Sequence, residues 1–355
     1  MGKTEGELIS PHQAINRTGK CAIMWKKSRA FSSLQHKSQI SRPKREKRRS
    51  EQMDINHLKE RILSLKEAKG AVILAHNYQP PEVQDLADLV GDSFQLSRAA
   101  SRMEAETIVF CGVRFMAESA KILSPQKKVL LPAPDAGCPM ADMVTPEDLR
   151  EMKRKHPGAP VVCYVNTSAE AKGECDICCT SSNAPKVVRS LGAKEVIFAP
   201  DRNLARYVQS QVPEVRIIPW EGFCPTHQRM TPQQAAQALR EHPSALFMAH
   251  PECPKEVLEM AHFVGSTSQM LDFAESSDAA EFIVGTEEGM LHGLRKRCPR
   301  KTFHTLSPAP LCPNMKKTTL ELILRSLEEE VEEIQLDPQV IHRAQGALSR
   351  MLEVI

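Results

Sequence analysis

Ala71-Val72-Ile73-Leu74-Ala75-His76 is a short, unbroken apolar run ending on a histidine, and the chain has three such runs, two ending on histidine and one on tyrosine. The second copy is Val161-Val162-Cys163-Tyr164, the third Ala245-Leu246-Phe247-Met248-Ala249-His250. Apolar runs of this length without alternation suit strands covered on both faces. The residues downstream of each run keep register. Seventeen residues after His76, Tyr164 and His250 stand Ser93, Ser181 and Thr267. At thirty-two residues comes a second apolar run, centred on Ile108, Val196 and Phe282. At 62, 60 and 62 residues come Cys138-Pro139, Cys224-Pro225 and Cys312-Pro313. Seven residues past each cysteine is a threonine: Thr145, Thr231, Thr319. Such a period means one supersecondary unit copied along the chain, which can bring equivalent points to a shared axis. Alternating strand and helix within each copy predicts a parallel sheet with helices on both faces.

Local signals fill in the unit. Residues 54 to 68 read as an amphipathic helix, with Ile55, Leu58, Ile62 and Leu65 at helical spacing. Residues 81–89 and 93–103 read as helices, 107–111 and 128–131 as strands, and Ser119 to Leu123 as part of another helix. Thr145-Pro146-Glu147-Asp148 and Thr231-Pro232-Gln233-Gln234 are helix starts, with threonine at the cap and proline first inside. The expected boundaries are 54–140, 141–226 and 227–315 for the three repeats. Residues 316–355 form helices packing back on the body beside the helix of residues 54–68, and residues 1–53 form a basic, disordered extension.

Charge narrows the class of ligand. The net charge is +3, but residues 1–52 hold 13 Lys/Arg and 4 Asp/Glu, or +9, so the remainder is 3 − 9 = −6. An acidic body argues against nucleic acid as the ligand of the fold. No apolar run approaches the roughly 18–20 residues that span a bilayer, and the N-terminus lacks a signal peptide's apolar stretch. The expectation is a cytoplasmic enzyme without membrane or nucleic-acid partners. Its eleven cysteines are then mostly reduced and buried. Cys111 and Cys163 lie inside apolar strands and read as core, and Cys253 has a weaker case for a place near the site.

Ligands of open parallel sheets bind beyond the carboxyl ends of strands, often at helix starts. His76, Tyr164 and His250 stand at such ends, and Ser93, Ser181 and Thr267 near helix starts. All six are expected in one central cavity, more than helix caps alone would need. Cys175-Asp176-Ile177-Cys178-Cys179 is the more conspicuous thiol cluster, but it has no counterpart in the other repeats. Cys138, Cys224 and Cys312 stand 86–88 residues apart, so only the folded repeat can gather them. Three thiolates suit an iron–sulfur cluster or zinc. A [4Fe–4S] cluster held by three cysteines keeps one iron open as a Lewis acid for dehydration. A zinc-dependent hydrolase, and a redox or nucleic-acid-binding protein built on Cys175–Cys179 and the basic tail, remain as alternatives.

The chain resembles the quinolinate synthase A family. The matching segments include Ala75-His76-Asn77-Tyr78-Gln79, Gly91-Asp92-Ser93, Gly137-Cys138-Pro139-Met140-Ala141-Asp142 and Tyr164-Val165-Asn166-Thr167. Thr180-Ser181-Ser182-Asn183-Ala184, Gly222-Phe223-Cys224-Pro225-Thr226-His227-Gln228, His250-Pro251-Glu252-Cys253 and Cys312-Pro313-Asn314-Met315-Lys316 continue the match in family order. The resemblance implies three similar three-layer αβα domains about a pseudo-threefold axis, with one [4Fe–4S] cluster at the centre. It implies condensation of iminoaspartate with dihydroxyacetone phosphate to quinolinate, with loss of phosphate and two waters. L-Aspartate oxidase is the implied supplier of iminoaspartate. By motif position, Cys138, Cys224 and Cys312 resemble the cluster ligands. His76, Ser93, Tyr164, Asn166, Ser181, His227, His250, Glu252 and Thr267 resemble the substrate-binding set. Tyr78, Glu252, His76 and His250 are the candidates for proton transfer. The basic extension and the thiols at 175–179 depart from the family pattern.

Overall fold

A computed structural model describes residues 42–306 and 308–354. It contains three four-stranded parallel sheets of identical strand order. The first holds β1 (Ala71–His76), β2 (Leu89–Gly91), β3 (Thr107–Cys111) and β4 (Lys128–Leu130), in the order β2-β1-β3-β4. The second holds β5 (Val161–Tyr164), β6 (Ile177–Cys179), β7 (Glu195–Ala199) and β8 (Arg216–Pro219), in the order β6-β5-β7-β8. The third holds β9 (Leu246–Ala249), β10 (Phe263–Val264), β11 (Glu281–Gly285) and β12 (Thr302–Thr305), in the order β10-β9-β11-β12. Each sheet is flanked by helices, giving an α/β fold of three similar αβα units. The apolar runs are central strands, and Ile73, Leu74, Val162 and Phe247 are fully buried within them.

The edge strands β2, β6 and β10 are too short to show a period, and the sequence pattern predicts one helix over 81–89. That helix ends at Leu86, and Leu89 begins β2. What holds each short strand is a side chain just before it. Asp88 Oδ2 accepts from the Ile73 amide at 2.8 Å, while the Asp88 amide donates to the Ile73 carbonyl at 2.9 Å. Asp176 does the same to Val161, at 2.7 and 3.0 Å. In the third unit His262 Nδ1 accepts from the Phe247 amide at 2.9 Å and its own amide donates back at 2.7 Å. Paired bonds of this kind replace the ladder that a two- or three-residue strand cannot build.

The helix expected from Asp54 begins at Arg42 and runs to Ala68. The charge run does not break it because Lys, Arg and Glu are good helix formers. Residues 1–41 lie outside the described residues. Thr145 and Thr231 cap their helices in capping boxes with Asp148 and Gln234. Thr319 accepts from the Leu322 amide to open the helix Leu320–Glu329. Leu320, Ile323, Leu324 and Leu327 of that helix share one apolar cluster with Ile62 and the outer face of the first sheet. The last helix, Pro338–Glu353, packs on β6 and on the helices Arg114–Leu123 and Ala169–Lys172. No helix among the described residues is long and apolar enough to cross a membrane.

Candidate active site

The carboxyl ends of the central strands open on one cavity of about 220 Å³. His76, Tyr78, Ser93, Tyr164, Asn166, Ser181, His227, His250, Glu252 and Thr267 all line it, with Cys138, Cys224 and Cys312. Every site residue expected from the sequence therefore stands on this one wall. The three hydroxyls are not caps. Asp92 and Ser266 cap the helices that Ser93 and Thr267 begin, and Ser181 lies ahead of the helix Ala184–Ser190. The caps occupy the preceding residue, which leaves Ser93 and Thr267 their hydroxyls for the cavity.

Bonds between repeats assemble the wall. Asn77 Nδ2 donates to Thr267 Oγ1 at 2.8 Å. His250 Nδ1 accepts from the Glu252 amide at 3.4 Å, so its proton sits on Nε2, which donates to Ser181 Oγ at 3.2 Å. His76 repeats the first half of this device, with Nδ1 accepting from the Tyr78 amide at 3.2 Å. A relay crosses the site from Tyr78. Tyr78 Oη lies 2.6 Å from Thr286 Oγ1, which lies 2.9 Å from His227 Nε2. His227 Nδ1 is 2.7 Å from Glu252 Oε2, and the Tyr164 hydroxyl donates to the same carboxylate.

Burial dominates the electrostatics. It drives His76 down to about 3 and His250 down to about 4, with the neighbouring His250 adding to the fall of His76. Both rings are neutral near pH 7 and act as donors at Nε2. Burial pushes Glu252 upward, but His227 and His250 outweigh it and hold the carboxyl below its usual range. Tyr78 and Tyr164 are raised well above the usual phenol value by burial and by Glu252, so both keep their protons. The Asn166 side-chain oxygen is buried without a partner, which suits a ligand that donates to it.

Among the described free cysteines, Cys138, Cys224 and Cys312 are the three that are not sealed in the core. Burial pushes Cys138 up to about 12, and the nearby Glu252 and Cys312 add to the rise. Cys224 and Cys312 are raised by burial too, Cys224 further by Glu252 and Cys138. Three such thiols ionise together only beside a strong positive charge, which a metal centre supplies. This donor set fits an iron–sulfur cluster. A tighter set, Cys224, His227 and Glu252, has its ligand atoms within 4.8 Å of one another.

Several contributors escape a reading of the sequence. Asp201 and Glu287 stand two residues past β7 and β11, and each accepts the amide of a Cys-Pro cysteine. Asp201 Oδ2 takes Cys224 N and Glu287 Oε1 takes Cys312 N, both at 3.1 Å. The matched position in the first unit is Val113, so the spacing alone hides the pair. Lys316 neutralises Glu287 at 2.9 Å. Thr286, the middle of the relay, directly precedes Glu287. Arg229 brings an exposed guanidinium to the cavity rim, and no acidic partner holds it among the described residues.

The cysteines outside this wall divide differently. The apolar strand around Cys163 predicts a free core thiol, but Cys163 is joined to Cys175 in a disulfide. The pairing of β5 with β6 brings the two segments together, which their spacing along the chain does not show. Cys178 and Cys179 are buried on β6. Cys253 points into the third unit's core, against Met230 and the Gly285 carbonyl, and does not line the cavity.

Residues 60–353 match the family described as Quinolinate synthetase A protein. The chain belongs to that family. It is 54% identical over 302 residues to the quinolinate synthase of Alkaliphilus metalliredigens, covering 85% of this chain and 100% of that protein. The quinolinate synthase of Caldicellulosiruptor saccharolyticus is 53% identical over the same shares. That of Methanosarcina barkeri is 55% identical over 295 residues, 83% of this chain and 97% of the other. The quinolinate synthetase A match begins within the helix Arg42–Ala68 and takes in all three repeats.

Proposed function

We propose that this chain is a quinolinate synthase acting in NAD biosynthesis, a cytoplasmic transferase-type enzyme that joins iminoaspartate to dihydroxyacetone phosphate. Quinolinate, phosphate and two waters leave. One observation carries the reading: a single part-exposed cysteine from each repeat reaches the same cavity wall. Cys138, Cys224 and Cys312 would hold a [4Fe–4S] cluster. When bound, such a cluster with three protein ligands supplies Lewis acidity at its open iron.

The remaining chemistry falls to side chains. Both substrates carry anionic groups. Ser93, Ser181, Thr267 and the Nε2–H of His76 are donors suited to carboxylate and phosphate oxygens, with the His250 Nε2–H bonded to Ser181 Oγ so that the Ser181 hydroxyl proton is free to donate. Tyr164 and Asn166 complete the binding wall. Neutral donors orient these groups without the desolvation cost of buried cations. Tyr78 is the cavity end of a proton path. As Tyr78 Oη takes a proton from the substrate, its own passes to Thr286 Oγ1 and the Thr286 proton to His227 Nε2, with the Glu252 carboxylate at His227 Nδ1, so Tyr78 is never left ionised. The reverse order returns a proton to Tyr78 Oη, so one relay serves both the enolising and the dehydrating steps. L-Aspartate oxidase is the enzyme whose product this site would consume.

Anaerobic assay for quinolinate from the two substrates, with iron and sulfide counted on the same sample, tests the reading. The expected result is turnover with about four irons and four sulfides per chain. One zinc without sulfide would instead favour a mononuclear site at Cys224, His227 and Glu252.

A further inference from the structure

The third unit carries a second cluster of ligand-type side chains, at the end of its sheet away from the cavity. Glu281 is the first residue of β11, and Thr286, which belongs to the relay, follows the last. At about 3.3 Å per residue, their five residue steps place them about 16 Å apart along the strand. Around Glu281 stand His242, which ends the helix Pro232–Glu241, and His304 on β12. His304 Nε2 lies 2.7 Å from Glu281 Oε1, and His242 Nδ1 lies 3.3 Å from the same oxygen. All three ligand atoms are within 4.8 Å of one another. Each side chain is about a quarter exposed, at 29%, 26% and 24%.

We propose that His242, Glu281 and His304 form a metal site of their own for a divalent ion of the zinc class, two imidazoles and one carboxylate with an open position for water.

The geometry meets what such an ion requires. Ligands at about 2.0–2.1 Å in a tetrahedron stand about 3.3 Å apart; the His242–Glu281 pair already has that separation, and the His304–Glu281 pair, at 2.7 Å, opens slightly to admit the ion. Imidazole and carboxylate together suit zinc and its neighbours. The other carboxylate oxygen, Glu281 Oε2, accepts from Ser244 Oγ at 2.6 Å. That bond aims Oε1 at the histidines, as outer hydrogen bonds do for metal ligands. The backbone is set in advance. The His242 amide donates to Ala238 and its carbonyl accepts from Ala245, while His304 sits in the β11–β12 ladder. The stacked rings, with centroids 3.5 Å apart, turn their nitrogens toward one carboxylate.

The repeat supplies an internal control. The positions matching His242, Glu281 and His304 in the second unit are His156, Glu195 and Ile218. That unit builds the same sheet with two of the three groups, and there Glu195 pairs with Arg216 at 3.3 Å. The fold therefore does not need the complete set. A metal at this end takes no part in the cavity chemistry. It ties the end of a helix to two strands.

The test is zinc binding by the cluster-loaded enzyme under anaerobic equilibrium dialysis, in wild type and in His242→Ala, His304→Gln and Glu281→Gln. The expected result is one zinc per chain in wild type, lost in each variant, with iron content unchanged. His156→Ala should keep the zinc, and Ser244→Ala should weaken it about tenfold. Zinc should raise the melting temperature of wild type and of His156→Ala, but not of Glu281→Gln. Equal zinc uptake by wild type and Glu281→Gln, or none by a folded wild type, would overturn the proposal and leave a hydrogen-bonded triad only.

Discussion

Two cysteine-rich regions of this chain behave in opposite ways. At 163–179, thiols crowd together in sequence, yet they are spent on packing: Cys163 and Cys175 are bonded, and Cys178 and Cys179 lie sealed on β6. Cys138, Cys224 and Cys312 are scattered along the chain, yet they share a wall. Closeness in sequence says little about a shared ligand when the fold is a repeat. Position on the unit says more. A cysteine on a strand enters the core, and the Cys-Pro loop past the last strand of each unit reaches the cavity.

The sharpest way to break that comparison is to exchange the outcomes. Cys224→Ala should lose the iron and at least a thousandfold of turnover, while Cys178→Ala should keep both; iron and sulfide analysis on anaerobic protein decides it. Loss of iron in both variants would erase the distinction between the regions. Thr286→Val comes next in size. It leaves Tyr78 Oη and His227 Nε2 without their bridge, so kcat should fall about a hundredfold to a thousandfold. Thr286→Ser should restore most of it, and steady-state kinetics separates this from a change in KM.

The histidines at the strand ends sharpen the comparison by pH. Unfolded, His76 and His250 take up protons below about 6.5; folded, they resist until about 3 and 4. Between these values the unfolded chain binds more protons, so stability falls as pH falls. From pH 7 to 5 each ring should cost about 2 kcal/mol. Glu252, held below its usual range, stabilises the fold throughout this interval and loses that contribution only as pH falls below about 4.5. Denaturant unfolding at the two pH values checks this, and His76→Gln should flatten the slope. The smallest effect belongs to the rim. Arg229→Ala removes an exposed charge from the path of anionic substrates and should raise KM about fivefold to tenfold with kcat nearly unchanged.

Much of this is legible in the chain. The central strands, the threonine caps and all three Cys-Pro loops follow from apolar runs and their spacing. The edge strands do not, because two or three residues carry no period; Asp88, Asp176 and His262 hold them through bonds that no local pattern reveals. The helix start at Arg42 is hidden because a dense charge run has the composition of a disordered segment as well as of a helix. Asp201 and Glu287 are hidden because the first unit has Val113 in their place, so the repeat asks nothing visible of that position.

By itself, then, the sequence determined the unit, its threefold repetition and the residues that end each strand, since these are set by local burial and periodicity. Tertiary structure alone decided which groups meet across units. Thr286 between Tyr78 and His227, Ser181 under His250 and Asn77 on Thr267 are contacts between distant segments. Within the second unit, the joining of Cys163 on β5 to Cys175, just before β6, likewise depends on how those two strands pair. Spacing specifies where a side chain stands on its own unit. Which neighbour it meets depends on how separate units pack, and that is a property of the assembled chain.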